Sequence, residues 1–447
     1  MNVFSNITQS KTYRSLTEWD LYPFLMLGCT EVIIGLLQLT GICKSSHPDY
    51  PFTGSFYNPG PYACYVAVLL PIAVFAFRNT DHKLTFRMAR WLGTGMALAC
   101  AILIPASLSR TAMIAAAVGS AIAYWDELTE YIAKHKASYL IGILIAAVIS
   151  AGGLYAIKKD SADGRLVMWK VAMQAAADAP LTGTGWDNVA GAYGEAQERY
   201  FESGRGTEEE KMVADAPEYV FNEYLQVAIA FGPFALVGML GLMAGAFIVA
   251  FRMRDYGTAG SVAAIALVMA ASYPLQFPLF TVTITIIILT AWISSNHVSV
   301  SLSGSALTVL ACVLLLTHNQ KTDVRTGFAC GLSLHRSHDY RKSNEILIPL
   351  LEKSADPMIL NIIGKNYQAL GLPDSATHYM RKSTLRCPNR MYPHYLLMQL
   401  YADSVSFDRD KCMEEANAIL SMPVKISSPA VDDMRRDANL TLQSLKR

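Results

Sequence analysis

Charge and histidine are scarce in this chain. Asp, Glu, Lys and Arg make up 16% of the 447 residues and there are nine histidines, against 52% hydrophobic residues. With a mean hydropathy of +0.28, that shortage excludes a large soluble globular protein and points to an integral membrane protein. No basic run and no interleaved aromatic–basic patch is present, so no nucleic-acid groove is expected. The eight cysteines, at positions 29, 43, 64, 100, 312, 330, 387 and 412, form no CxxC and no Cys/His pairing at zinc-ligand spacing. Those inside apolar runs read as small buried hydrophobes. His82 and His135 fall on one side of the expected membrane and His297 in a short loop, so none of the three supports a Ser/His or metal arrangement on the other side. No metal and no cofactor is expected.

What is abundant is apolar sequence in runs long enough to cross about 30 Å of hydrocarbon. Spans are expected near 21–42, 58–78, 91–106, 108–125, 138–157, 219–251, 258–275, 278–296 and 301–317, about nine transmembrane helices in an all-α, polytopic fold. The third is short, and the sixth is long enough to include a tilted or re-entrant entry. The first apolar run is too long for a signal-peptide core and lacks a small-residue cleavage site, so it reads as an uncleaved span.

Lys11 and Arg14, then Arg78, Lys83, Arg87 and Arg90, then Lys134 and Lys136, then Arg252 and Arg254 fall on one side if nine spans alternate. By the positive-inside rule that side is the cytoplasm. The N-terminus is then cytoplasmic. The Gly54–Asn58 segment, the Ser107–Arg110 turn, the loop 158–218 and everything after Thr317 face outward. The expected domains are a membrane domain over 1–317, carrying that large loop, and a helical domain over 318–447. In the tail, residues 357–390 fit the tetratricopeptide pattern, with Gly364, Tyr367, Gly371, Ala376 and Pro388 at the repeat's offsets. Flanking stretches 338–354 and 392–420 read as helix pairs that stack on it, for docking or bracing.

Motifs with chemical potential gather on the outward side. Arg110 and Arg165 carry permanent charge and paired donors suited to a diphosphate. Either also reads plainly, as a snorkelling arginine or a solvated helix-end charge. Trp169 falls on the Arg165 face at i+4. Pro180-Leu181-Thr182-Gly183-Thr184-Gly185-Trp186 lacks the lysine of a nucleotide-binding loop, so it reads as a turn for close backbone approach, to the membrane surface or to a sugar. Trp186 and Tyr193 could stack on a sugar ring or serve in an interfacial aromatic belt. Asp215, Glu218 and Glu223 flank the re-entry into apolar sequence and are the acids best placed to accept a proton from an attacking hydroxyl; ordinary solvation is the plain reading of each. Glu31 is the clearest intramembrane acid, expected to be paired or functional.

Gly54-Ser55-Phe56-Tyr57-Asn58-Pro59, Ser107-Leu108-Ser109-Arg110, Asp163-Gly164-Arg165 with Trp169, Pro180 to Gly185, and Asn222-Glu223-Tyr224-Leu225-Gln226 ending at Gly232 stand in the order seen in the O-antigen ligase superfamily. Over roughly residues 50–252 the chain resembles these ligases, O-antigen polymerases and bacterial O-oligosaccharyltransferases. The helical tail resembles that of some bacterial members, including those of Bacteroidetes. The resemblance implies a metal-independent glycosyltransferase of the GT-C type in the bacterial inner membrane, taking a glycan from undecaprenyl diphosphate at the periplasmic face. The acceptor is lipid A core, protein Ser/Thr or another glycan chain. It implies that Arg110 and Arg165 hold the lipid diphosphate, and that Asn58, Gly183, Gly185 and Trp186 bind glycan or shape loops. Asn222 would orient substrate. The family's histidine is Phe221 here, which leaves Glu218 or Glu223 as the substitute for proton removal. The chain also has fewer spans than the family's usual number.

Two readings of other classes compete. A lipid-linked glycan transporter or flippase would explain the spans and Glu31, but predicts paired broken helices in repeated halves, and no internal repeat is visible. An envelope scaffold would use the tail to recruit an envelope protein.

Overall fold

The structure, a computed structural model, describes residues 18–78, 84–135, 159–295, 297–318, 324–424 and 428–445. The expected span at 138–157 lies outside them, as do Lys11, Arg14, Lys83 and Lys136. The described residues form helices and no strands. In chain order they are α1 (Glu18–Leu39), α2 (Pro59–Arg78), α3 (Leu84–Ala106), α4 (Arg110–Ala123), α5 (Trp125–His135), α6 (Lys159–Asp178), α7 (Val189–Glu202), α8 (Glu208–Val213), α9 (Glu223–Arg252), α10 (Tyr256–Ala271), α11 (Pro278–Ile293) and α12 (Val298–His318). The tail follows as α13 (Val324–Arg336), α14 (Tyr340–Leu350), α15 (Pro357–Ala369), α16 (Pro373–Arg386), α17 (Met391–Ala402), α18 (Arg409–Ser421) and α19 (Pro429–Leu445).

Among the described residues, five helices are long and apolar enough to cross a membrane: Leu21–Leu39, Pro59–Arg78, Arg87–Ala106, Glu223–Arg252 and Val298–Leu316. α4, α10 and α11 are apolar and shorter. The third expected span is a full-length helix rather than a short one. Arg87 and Arg90 interrupt the apolar run but not the backbone hydrogen bonding, so hydropathy began it several residues late.

The chain divides into two compact units. The first comprises Met1–Leu154, Phe221–Glu223 and Val237–Thr317. Its centre is α2, buried on nearly every side and packed on α1, α3, α4 and α10. A helix that is apolar all round has no solvent face to present, which fits it for this place. Close approach rests on small residues: a side chain at Gly119 of α4 would meet the Gly260 carbonyl of α10 at 2.9 Å. This is the packing expected where hydrocarbon supplies no hydrophobic drive between helices.

The two ends of this bundle differ chemically. At one end Arg78 pairs with Glu127 at 2.5 Å and donates to the Ala123 carbonyl at 2.7 Å, while the Tyr256 hydroxyl donates to Asp126 at 3.0 Å. The other end carries the Gly54–Asn58 segment, the Ser107–Arg110 turn, Phe221–Glu223 and the turn after α10.

The second unit comprises Tyr155–Val220, Tyr224–Leu236 and His318–Arg447. Its tail is built from successive packed pairs, α13 with α14, α15 with α16, α17 with α18, then α19 on α18. Tyr367 stacks on Tyr379 at 5.4 Å, and a side chain at Gly364 would strike Met380 at 2.7 Å. Asn366 links three helices, donating to Ser343 and Asn344 and meeting His335 Nδ1 at 2.6 Å. One unit boundary falls between Thr317 and His318. The loop 158–218, however, groups with the tail, because Gln197 and Glu198 of α7 and the carbonyls of Met212 and Ala214 find partners there.

Candidate functional site

In the first unit the Gly54–Asn58 segment is held from α1. Glu31, 4% exposed, accepts from the Ser55 N–H at 3.0 Å and from the Ser55 hydroxyl at 2.6 Å. Gln38 accepts from Thr53 and Gly54 N–H and returns a bond to the Gly54 carbonyl. The intramembrane acid is thus satisfied by a loop, as a buried charge-bearing group must be. Asn58 Oδ1 accepts from Gly60 N–H at 2.8 Å, shaping the entry to α2.

The Ser107–Arg110 turn closes α3 and opens α4. Leu108 sits in the left-handed region at φ 52° and is exposed, where helices usually end on glycine. Ser109 then caps α4 by accepting from Ala112 N–H at 3.4 Å. Arg110 is half-buried in the first turn of α4. A cation at a helix N-terminus opposes the macrodipole by about 0.3–1 kcal/mol.

Phe221 is the second left-handed non-glycine residue at this end, at φ 49°. Such conformations cost roughly 1–3 kcal/mol and collect at functional sites. Its ring meets Tyr273 at 4.7 Å; Tyr273 continues to Phe277, and Phe277 to Phe56. One aromatic file therefore joins Phe221 to the Gly54–Asn58 segment. Glu223, 1% exposed, accepts the Leu275 N–H at 2.8 Å through Oε1, and Oε2 has no hydrogen-bond partner among the described residues.

His47 was missed by sequence reasoning. Its ring lies 4.7 Å from those of Tyr50 and Tyr57, one residue before Asn58, and Nδ1 accepts from Asp49 N–H. Being outside any apolar run, it left no signal beyond its residue type.

In the second unit the glycine-rich motif has a definite target. α9 breaks at Gly232, φ 81° and ψ 176°, and Pro233 follows. Proline has no N–H to give the Ile229 carbonyl, and the break takes the next donor from Ala230. Thr184 N–H bonds the Ile229 carbonyl and Gly185 N–H the Ala230 carbonyl, both at 2.9 Å. The strands of chain touch so closely that a side chain at Gly183 would lie 2.2 Å from the Ala230 carbonyl oxygen, and one at Gly232 2.0 Å from that of Leu181. Trp186, 6% exposed, stacks on Phe231 at 5.8 Å. Tyr193, 1% exposed, donates to Gln197.

Arg165 is half-buried on α6, and the Trp169 indole N–H one turn later is buried without a partner among the described residues. α6 is tied to the rest of the loop by Lys170, which pairs with Glu210 at 2.8 Å. Glu210 also accepts from the Tyr200 hydroxyl and Thr207 N–H. Burial works against its charge, yet these three donors together hold its carboxyl below the usual range. Glu218 is exposed and accepts from the Tyr219 hydroxyl at 2.8 Å. Asp215 is exposed at 3.6 Å from Arg390.

No curated protein and no solved structure is detectably similar to this chain. Residues 95–240 match the model of the family described as O-antigen ligase. That stretch holds the Ser107–Arg110 turn, Arg165 and Trp169, the Thr182–Trp186 clasp and Phe221–Glu223, and over it the chain is similar to the O-antigen ligase family.

Proposed function

We propose that the protein transfers an oligo- or polysaccharide from undecaprenyl diphosphate to an acceptor hydroxyl at the periplasmic face of a bacterial inner membrane, as an O-antigen-ligase-like enzyme. The observation that carries this reading is the family match over 95–240, which takes in both arginines and the Phe221–Glu223 turn. An O-antigen polymerase or a protein O-oligosaccharyltransferase performs the same bond exchange on a different acceptor. About nine spans put the N-terminus in the cytoplasm and the tail, a tetratricopeptide-like array, in the periplasm.

In the proposed step the acceptor oxygen bonds the anomeric carbon while the bond from that carbon to the diphosphate oxygen breaks. The electron pair leaves with the diphosphate, and the acceptor's proton passes to a carboxylate. Arg110 and Arg165 each neutralise charge developing on phosphate oxygens. The unpartnered Trp169 N–H supplies a further donor beside Arg165. Glu223 is the favoured proton acceptor because its Oε2 lacks a partner; Glu218 is the exposed alternative, and Asn222 orients the acceptor. Diphosphate is a good leaving group, so positioning and charge stabilisation carry most of the rate. Asn58, Gly183, Gly185 and Trp186 shape the loops around the glycan.

The test is incubation of purified protein with undecaprenyl-diphosphate glycan and, separately, core lipid, an acceptor peptide and the glycan itself. Transfer to one of them identifies the acceptor. Transport of donor across sealed vesicles with no transfer to any would replace this reading with a flippase.

A further inference from the structure

The tail is more than an appendage to the loop that carries Arg165. Within the second unit, α7 of the loop packs directly on α16 of the tail. Contact is at backbone distance: a side chain at Gly191 would fall 2.0 Å from the Glu352 carbonyl oxygen, and one at Gly194 would strike Arg386 and Ala355. At the centre lies Arg386, 1% exposed, paired with Glu198 of α7, itself 5% exposed. Arg386 also donates to the Ser354 carbonyl at 2.9 Å, and Lys382 reaches Glu198 at 3.2 Å. Gln197, next along α7, donates to the carbonyls of Arg386 and Asp215. Asn389 donates to the Met212 and Ala214 carbonyls at 3.0 and 2.7 Å.

These contacts fix both ends of the loop's polar part. α7 packs on α6, the helix of Arg165. A buried ion pair is a poor source of net stability, because desolvation offsets its attraction. Its use is geometric: an unpaired partner is so unfavourable that only one docking of α7 on α16 satisfies both.

We propose that Arg386 is a positioning residue for the transfer, setting α7, and through it α6 and Arg165, in the geometry that binds donor. The tail is then a structural half of the donor site rather than a free docking module. The proposal rests on the transferase reading for its kinetic consequence and on the packing alone for its conformational one.

The experiment uses the full-length protein in lipid nanodiscs. Arg386→Met should raise amide hydrogen exchange across 163–214 and raise donor KM at least tenfold with a smaller change in kcat. Glu198→Met/Arg386→Met, which removes both charges, should restore much of each. In an Arg165→Ala background, Arg386→Met should add little further loss, since both act on the same contact. A protein merely less stable would instead lose active fraction, with donor KM unchanged and full additivity with Arg165→Ala. That result, or Arg386→Met with unaltered exchange and kinetics, overturns the proposal. Raised exchange together with no transfer by the unmutated protein supports the brace and contradicts the transferase reading.

Discussion

Thr184 donates its backbone N–H to the carbonyl of Ile229, the acceptor that Pro233 leaves without a helical donor. With Gly185 on Ala230, this makes the glycine-rich motif the patch over a deliberate break in α9. The break lets one 30-residue helix enter as a short segment and continue in a new direction.

The patch is intolerant of side chains. Gly183→Ala and Gly232→Ala each place a methyl group on a backbone carbonyl at positive φ, at 77° and 81°. Each is expected to cost about 2 kcal/mol or more, read as a lowered melting temperature in detergent. Gly238→Ala, in the same helix where nothing lies within 4 Å, should leave it unchanged.

The Glu31–Ser55 contact predicts a loop effect from inside the bundle. Glu31→Leu removes the acceptor of both Ser55 bonds. A loss of about 1–3 kcal/mol is expected when buried donors lose their acceptor. Faster protease cleavage within 45–58 would register it, and an unchanged cleavage rate would count against the anchoring role.

Acid should loosen the loop around α8. Glu210 has a folded pKa below its unfolded value, so its contribution is fully present above the ordinary carboxylate pKa of about 4.3. It is lost as pH falls through the depressed folded value. Limited proteolysis across 203–207 between neutral and strongly acid pH should show this step. Glu210→Gln should cleave faster at neutral pH and lose the step.

Trp169→Phe keeps an aromatic ring, though a smaller one, and deletes an indole N–H that lies buried without a partner among the described residues, one turn from Arg165. If a donor oxygen is its partner, donor KM should rise about tenfold, because a hydrogen bond to a charged group is worth about 1.5–3 kcal/mol. A lowered melting temperature with unchanged KM would assign the ring to packing alone.

Much of this was legible in the sequence where the cause is local. Apolar runs announced α2, α9 and α12, the length of the sixth run suggested a tilted or re-entrant entry where the helix instead breaks at Gly232, and the change in charge after Thr317 marked the tail. Gly183 and Gly185 were visible as a turn for close backbone approach, to the membrane surface or to a sugar, and Gly232 only as the end of a motif. Their target was not, because the acceptors lie some 45 residues on and nothing local encodes that pairing. Arg386 and Glu198 were equally hidden: each sits in an ordinary polar helix, and only tertiary packing, at a separation of 188 residues, makes the pair buried. Hydropathy also misjudged α3, where two arginines lie within continuous helix.

The central claim is that Arg110 and Arg165 bind the diphosphate of a lipid-linked glycan donor. The direct measurement is glycan transfer by purified full-length protein in proteoliposomes, with Arg110→Ala and Arg165→Ala compared at matched insertion. The account predicts that each variant inserts normally and loses at least about a hundredfold in kcat/KM for the donor, the scale of removing one stabilising donor from an anionic transition state. Transfer persisting at the unmutated rate in both variants would contradict it.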